Sequence, residues 1–109
     1  MEAFEIGALQ EQRQQLDRLY LEFLKVPALS AGLYSLRAGE KDNQQPHTED
    51  EVYYVVSGKA SFVGGDKQYP VQAGSVLFVE ANLEHRFFDI VEDLNVLVFF
   101  APAEYSLKS

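Results

Sequence analysis

The sequence predicts an all-β sandwich or barrel with one short helix at its N-terminus, and three observations point there. Short runs rich in valine, leucine, phenylalanine and tyrosine recur from Tyr20 onward. Turn-forming residues separate them at short, regular intervals, and helix-forming composition is confined to the first part of the chain. Evenly spaced strands with turn chemistry between them indicate a sandwich or barrel, whereas alternating strand and helix patterns would indicate a parallel sheet.

Residues 6–18, Ile-Gly-Ala-Leu-Gln-Glu-Gln-Arg-Gln-Gln-Leu-Asp-Arg, favour a helix, but Ile6, Leu9 and Leu16 give it only a thin apolar stripe. One short helix is therefore expected within a lead-in of residues 1–18, followed by a single barrel domain over 19–109. Tyr20 to Val26 stops at Pro27, and Ala31 to Leu36 stops before Gly39; both are strand-like in length and punctuation. Residues 39–50 are polar and carry the turn formers of a loop. Further strands are expected over Glu51–Ser57, Lys59–Val63, Lys67–Val71, Ser75–Val79, Glu84–Ile90 and Leu94–Ala101, about eight in all. Gly64-Gly65-Asp66 is a hairpin signal, because glycine reaches positive φ without steric cost.

Composition removes several classes of function. A chain of 109 residues, 47% of them apolar, fits one domain whose core needs no disulfide. The absence of cysteine excludes thiolate catalysis, Cys-type zinc sites and iron–sulfur ligation. A net charge of -8 repels phosphate backbones and anionic lipid, and no Lys/Arg cluster offsets it, so neither nucleic acid nor a membrane is an expected partner. The longest apolar run, Val96 to Ala101, is far short of the ~20 residues of a membrane-spanning helix. Met1-Glu2-Ala3-Phe4-Glu5 is acidic where a secretory leader is basic, and a cytoplasmic location is expected.

Two histidines, His47 and His85, focus the search for chemistry. In Gln45-Pro-His47-Thr-Glu-Asp-Glu51, positions 45 and 47 of an extended chain share a face, ~6.6 Å apart. A straight strand would carry Glu51 ~13 Å from His47. A tight reversal over Thr48-Glu49-Asp50 would instead make His47 and Glu51 a cross-strand pair with Cβ atoms ~5 Å apart, close enough for one metal. That register sets Gln45 opposite Tyr53 and turns Glu51, Tyr53 and Val55 inward, with Val52, Tyr54 and Val56 on the other face. Along Glu84-His85-Arg86-Phe87, alternation groups His85 with Phe87 and Asp89; His85 and Phe87 are read as inward and Arg86 as outward.

Gly39, Gln45, His47, Glu51 and Gly58 have the spacing of the first motif of the cupin family, G(X)5HXH(X)3-4E(X)6G, and match four of its five fixed positions. The second motif, G(X)5PXG(X)2H(X)3N, falls on Gly74, Glu80, Asn82, His85 and Asp89 and keeps only the glycine and the histidine. With the run His47 to Gly58 and Val98-Phe-Phe-Ala-Pro-Ala103, the chain resembles small single-domain bacterial cupins over most of its length. The resemblance implies a double-stranded β-helix, a jelly-roll barrel of two antiparallel sheets holding a divalent metal in its mouth. The implied ligands are His47, Glu51 and His85, with Gln45 where the family usually has its first histidine. An amide oxygen is a harder and weaker donor than imidazole and disfavours copper(I). Two histidines and one carboxylate without it still form the triad associated with non-haem Fe(II). Manganese, iron, nickel and zinc all stay open.

Plainer readings stand beside these. Taken alone, a histidine in a β protein is more often hydrogen-bonded structure than a ligand. Glu49 and Asp50 are expected to be solvated. Gln45 is open between direct ligation and closing the site through water. Phe23, Phe62, Phe78, Phe87, Phe99 and Phe100 are expected in the core. Tyr53 is the candidate catalytic residue, able to hydrogen-bond a ligand or transfer a proton, with core packing as the alternative.

Cupins span dioxygenases, isomerases, decarboxylases, lyases, sugar-binding modules and storage proteins, so the resemblance leaves the activity open. The first reading is a metal-dependent enzyme of oxygenase or isomerase type acting on a small organic molecule. Its rival is a non-catalytic, metal-dependent small-molecule binding or sensor module, favoured by the diverged second motif. A metal-free structural barrel is the third. Open edge strands and the family's habit of pairing through N-terminal strands imply a homodimer through Tyr20 to Leu36.

Overall fold

The helical lead-in is shorter than its composition suggests. In the computed structural model, which describes residues 1–108, helix α1 runs over Ile6–Gln15 and ends where Leu16 turns extended. Leu9 is its one buried residue; Leu16, counted in the expected stripe, is exposed. The helix packs against the first two strands, β1 (Tyr20–Val26) and β2 (Leu29–Leu36). Ala31 and Leu33 lie on the outer face of β2 yet are buried, as is Leu9 of the helix packed against β1 and β2. That buries inside the chain two apolar residues of the segment from which subunit pairing was expected.

The rest of the molecule hangs on two long strands, β3 (Asp50–Gly64) and β6 (His85–Ala101), flanked by β4 (Lys67–Gln72) and β5 (Val76–Val79). The six strands replace the roughly eight expected from punctuation, because 51–57 and 59–63 are halves of one strand, as are 84–90 and 94–101. Gly58 shows why the chain need not stop at that glycine. Its φ is +100°, and a Cβ there would sit 2.3 Å from the carbonyl oxygen of Asp93, so only glycine lets the two strands cross with their pairing intact. The ladder shifts register around it, at Val55/Ser57, Ser57/Lys59 and Lys59/Ser61.

Bent in this way, β3 and β6 serve both sheets. The first half of β3 lies between β5 and the C-terminal half of β6, which continues through β2 to β1; its second half pairs with β4 and the N-terminal half of β6. The result is the antiparallel double-stranded β-helix. Strand alternation holds on the inner face: Glu51, Tyr53 and Val55 are buried and Tyr54 is exposed, while His85 and Phe87 are buried and Arg86 is exposed. Asp89 departs from it, being exposed with φ +48° where β6 loses its even pairing.

The core between the sheets is built from Phe62, Phe87, Phe100, Leu36, Leu94, Val96 and their neighbours. Phe78 does not join it: Val79 takes the inward position on the short strand β5, leaving Phe78 two-thirds exposed. Phe23 and Phe99 are only partly buried.

Candidate metal centre

At one end of the barrel the apolar filling gives way to three buried polar side chains. Glu51 enters from the start of β3, opposite Phe100 and Val79; His85 opens β6; His47 is delivered by the loop before β3. Relative exposures of 7% for His47, 2% for Glu51 and 6% for His85 put all three out of solvent. One ligand atom of each lies within 4.8 Å of the others. His47 and Glu51 are not the cross-strand pair that a reversal over residues 48–50 would make. Residue 47 lies outside β3, its carbonyl accepts the amide proton of Asn82, and a bend rather than a hairpin swings its ring toward Glu51.

The three groups are poorly served by each other. Glu51 Oε1 lies 2.8 Å from His85 Nε2 and 3.5 Å from His47 Nδ1, yet neither oxygen of Glu51 nor His47 Nδ1 has a hydrogen bond. Buried polar atoms left in this way are costly, and a divalent cation between them would satisfy all of them at once. Imidazole and carboxylate are also the donors that first-row divalent ions accept. The set therefore fits such an ion.

Electrostatics agree. Burial disfavours charge on both rings, but the carboxylates outweigh it. Glu104 and Glu51 hold His47 up at about 9, and Glu51 and the Leu83 carbonyl raise His85. Burial pushes Glu51 the other way, yet the two imidazoles keep its carboxyl below the ordinary carboxylate value.

Tyr53 lies one step deeper, fully buried, with its hydroxyl 3.0 Å from His85 Nε2. Gln45, expected beside it, is exposed on the loop; the amide that enters the barrel is that of Gln44, whose Oε1 accepts the Tyr53 hydroxyl proton at 2.8 Å. Parity counted back along an extended chain fails here because residues 43–47 are not strand. Behind Gln44, the buried carboxylate of Asp42 accepts from the Gln44 amide, the Tyr34 hydroxyl and the Phe87 backbone N–H.

Three further participants escaped the sequence reading. Glu49, expected in solvent, is 1% exposed and accepts from Thr48 Oγ1 and the backbone N–H groups of Tyr105 and Leu107. Glu104 reaches His47 Nε2 at 3.0 Å, and the Tyr105 ring stacks on His47 with centroids 5.3 Å apart. Nothing local announced them, since both contacts join positions more than fifty residues apart in the chain.

Comparison with known proteins agrees with the architecture. The family model described as a cupin domain matches residues 32–100. This chain belongs to the cupin family. An uncharacterised protein of Streptomyces coelicolor is 47% identical to this cupin over 104 residues, covering 95% of this chain and 99% of the relative. Among solved structures, TT1209 from Thermus thermophilus aligns with a TM-score of 0.72 at 21% identity, over 94% of this cupin and 99% of that chain. The DMSP lyase DddQ from Ruegeria pomeroyi aligns with a TM-score of 0.68 at 20% identity, over 77% of this cupin and 42% of DddQ. This chain thus spans less than half of that lyase, and the likeness is one of fold. Among the described residues no helix is long and apolar enough to cross a membrane.

Proposed function

We propose that this cupin binds one divalent metal ion through His47, Glu51 and His85 and acts as a metal-dependent enzyme, of oxygenase or isomerase type, on a small organic molecule. The observation that carries the reading is the set of buried, converging ligand atoms at the barrel mouth that make no hydrogen bond, His47 Nδ1 and both Glu51 oxygens, beside His85 Nε2. A bound divalent ion supplies Lewis-acid polarisation of a coordinated substrate oxygen. Glu51 contributes the anionic donor, and Phe62, Phe87 and Phe100 give the site a dry floor. Tyr53 presents its phenol oxygen to the same space and serves as a hydrogen-bond acceptor there. Gln45 has no part in this reading as a direct ligand, being exposed.

The protein is further read as a cytoplasmic homodimer. Exposed Tyr54, Val76 and Phe78, adjacent on the outer face of β3 and β5, support a self-associating surface.

Elemental analysis of protein purified without chelators tests the metal site. About one equivalent of a single divalent metal is expected in the parent protein and little in His85→Ala; equal content in the two would defeat the assignment. Aerobic and anaerobic incubation of the metal-loaded protein with catechols, diketones and sugar acids then separates turnover from mere binding.

A further inference from the structure

The two histidines of the site are held from behind in opposite senses. On His85, Nδ1 lies 2.8 Å from the carbonyl oxygen of Leu83. A carbonyl only accepts, so Nδ1 carries the proton, and in the neutral ring the lone pair belongs to Nε2, the atom facing Glu51. On His47 the arrangement is reversed. Nε2 lies 3.0 Å from Glu104 Oε2, another pure acceptor, so Nε2 carries a proton and, in the neutral ring that a metal binds, the lone pair belongs to Nδ1, which is again the atom facing Glu51.

The backing of His85 comes from its own strand entry, two residues away. The backing of His47 comes from the far end of the chain, and that end is anchored. The Glu104 backbone N–H donates to Ser30 Oγ, itself fully buried, at 2.8 Å. The buried Glu49 carboxylate takes the next N–H groups, from Tyr105 at 2.6 Å and Leu107 at 3.0 Å. Tyr105 then lies flat on the imidazole that Glu104 orients. A carboxylate placed by so many contacts against one ring nitrogen is a built feature.

We infer that Glu104 is a positioning residue of the metal site: its carboxylate fixes the His47 tautomer and ring so that Nδ1 faces the ion, and the C-terminal segment is thereby part of the site. This rests on the metal-binding reading above. A carboxylate behind a ligating histidine raises the basicity of the ring and fixes its orientation, and loss of such a partner typically weakens metal affinity about 10–100-fold. The site would accordingly hold two imidazoles that ligate through different nitrogens, Nδ1 from His47 and Nε2 from His85.

The test uses the full chain and two metal probes. Calorimetric titration with Co(II) is expected to show about 10–100-fold weaker binding for Glu104→Ala. Glu104→Gln, whose amide oxygen can still accept from Nε2–H, should fall between it and the parent, with the visible Co(II) bands unmoved. Because the chain has only two histidines, long-range 1H–15N spectra of 15N-histidine protein loaded with Zn(II) report each ring separately. One ring should be protonated at Nε2 and bound through Nδ1, the other the reverse. Parent-like affinity in Glu104→Ala, or both rings bound through Nε2, overturns the proposal while leaving the metal site intact. A shifted Co(II) spectrum in Glu104→Gln overturns it in favour of direct ligation by Glu104. Unchanged affinity in both His47→Ala and His85→Ala removes the site and the proposal together.

Discussion

Tyr53 gives its hydroxyl proton to Gln44 and so turns a phenol oxygen, not a phenol proton, toward the histidines. The direction is set one residue further back. Gln44 Nε2 donates to the Asp42 carboxylate at 2.7 Å, a group that cannot donate in return, so the amide cannot flip without setting oxygen against oxygen. Tyr53 is thereby arranged to accept. Tyr53→Phe should keep the metal content of the parent protein, because the phenol is not among the three converging ligands. It should lose about 1–2 kcal/mol of stability, since the Gln44 oxygen is left without its buried donor. Urea unfolding beside elemental analysis reads both; loss of metal in Tyr53→Phe would make the phenol a ligand.

Gly58 carries the crossing of β3 over β6. A side chain there meets Asp93 backbone at 2.3 Å and must adopt φ +100°, so Gly58→Ala combines overpacking with left-handed strain. The expected loss is about 2–4 kcal/mol in chemical unfolding, without change of fold. A loss below about 0.5 kcal/mol, the range of ordinary surface substitutions, would show that the crossing relaxes freely.

The legible parts of this fold are those governed by period two. Glu51, Tyr53 and Val55 inside and Tyr54 outside follow from alternation alone, as do His85 and Phe87 against Arg86. Alternation also decides Phe78, whose hydrophobicity suggested the core but whose neighbour Val79 takes the inward place. Where the chain leaves strand geometry the rule lapses, and Gln44 replaces Gln45 inside. The second motif is instructive because residues that depart from its pattern take a left-handed backbone. Asn82 and Asp89 stand at the family's glycine and asparagine positions with φ of +67° and +48°, and both belong to the residue types that best tolerate that region. The contacts of Glu49 and Glu104 obey no period; they depend on how the C-terminal segment folds back, which local pattern does not encode.

Tyr34 ties stability to alkaline pH. Its hydroxyl donates to Asp42 at 2.6 Å, and burial, followed by that hydrogen bond and the Asp42 charge, pushes the phenol well above its ordinary value of about 10. The unfolded chain ionises this phenol near 10 whereas the folded chain keeps it protonated. The stabilisation is therefore fully present below about pH 10 and is lost as pH rises beyond it toward the folded value. Unfolding free energies measured from about pH 8 to about pH 11 should fall less steeply in Tyr34→Phe than in the parent protein. Identical slopes would show that Tyr34 is not the group being titrated.

The outer face of β3 and β5 predicts the oligomeric state. Tyr54 pairs with Val76, and Val52 lies between Phe78 and Phe99, so these five residues make one apolar strip, with Val76 64% and Phe78 67% exposed. Light scattering should return twice the 12.3 kDa chain mass for the parent protein, and Phe78→Glu should halve it by placing a charge in the strip. A dimer that survives Phe78→Glu would move the contact to the free edge of β1, within the segment Tyr20 to Leu36 to which the sequence points.

Metal binding should be visible as folding stability. Glu51 is buried with neither oxygen hydrogen-bonded, and His47 Nδ1 likewise makes no hydrogen bond. The unfolded chain scatters these donors, so an ion they share binds the folded form alone. At free metal about 100 times Kd, that linkage adds about 2.7 kcal/mol to the unfolding free energy. Glu51→Gln keeps the volume of the side chain but removes the anionic donor, so its stability should be the same with excess Mn(II) or Zn(II) as with chelator. Paired urea titrations, each protein with chelator and with metal, decide the matter. A metal-dependent rise that persists in Glu51→Gln would place the ion elsewhere on the chain.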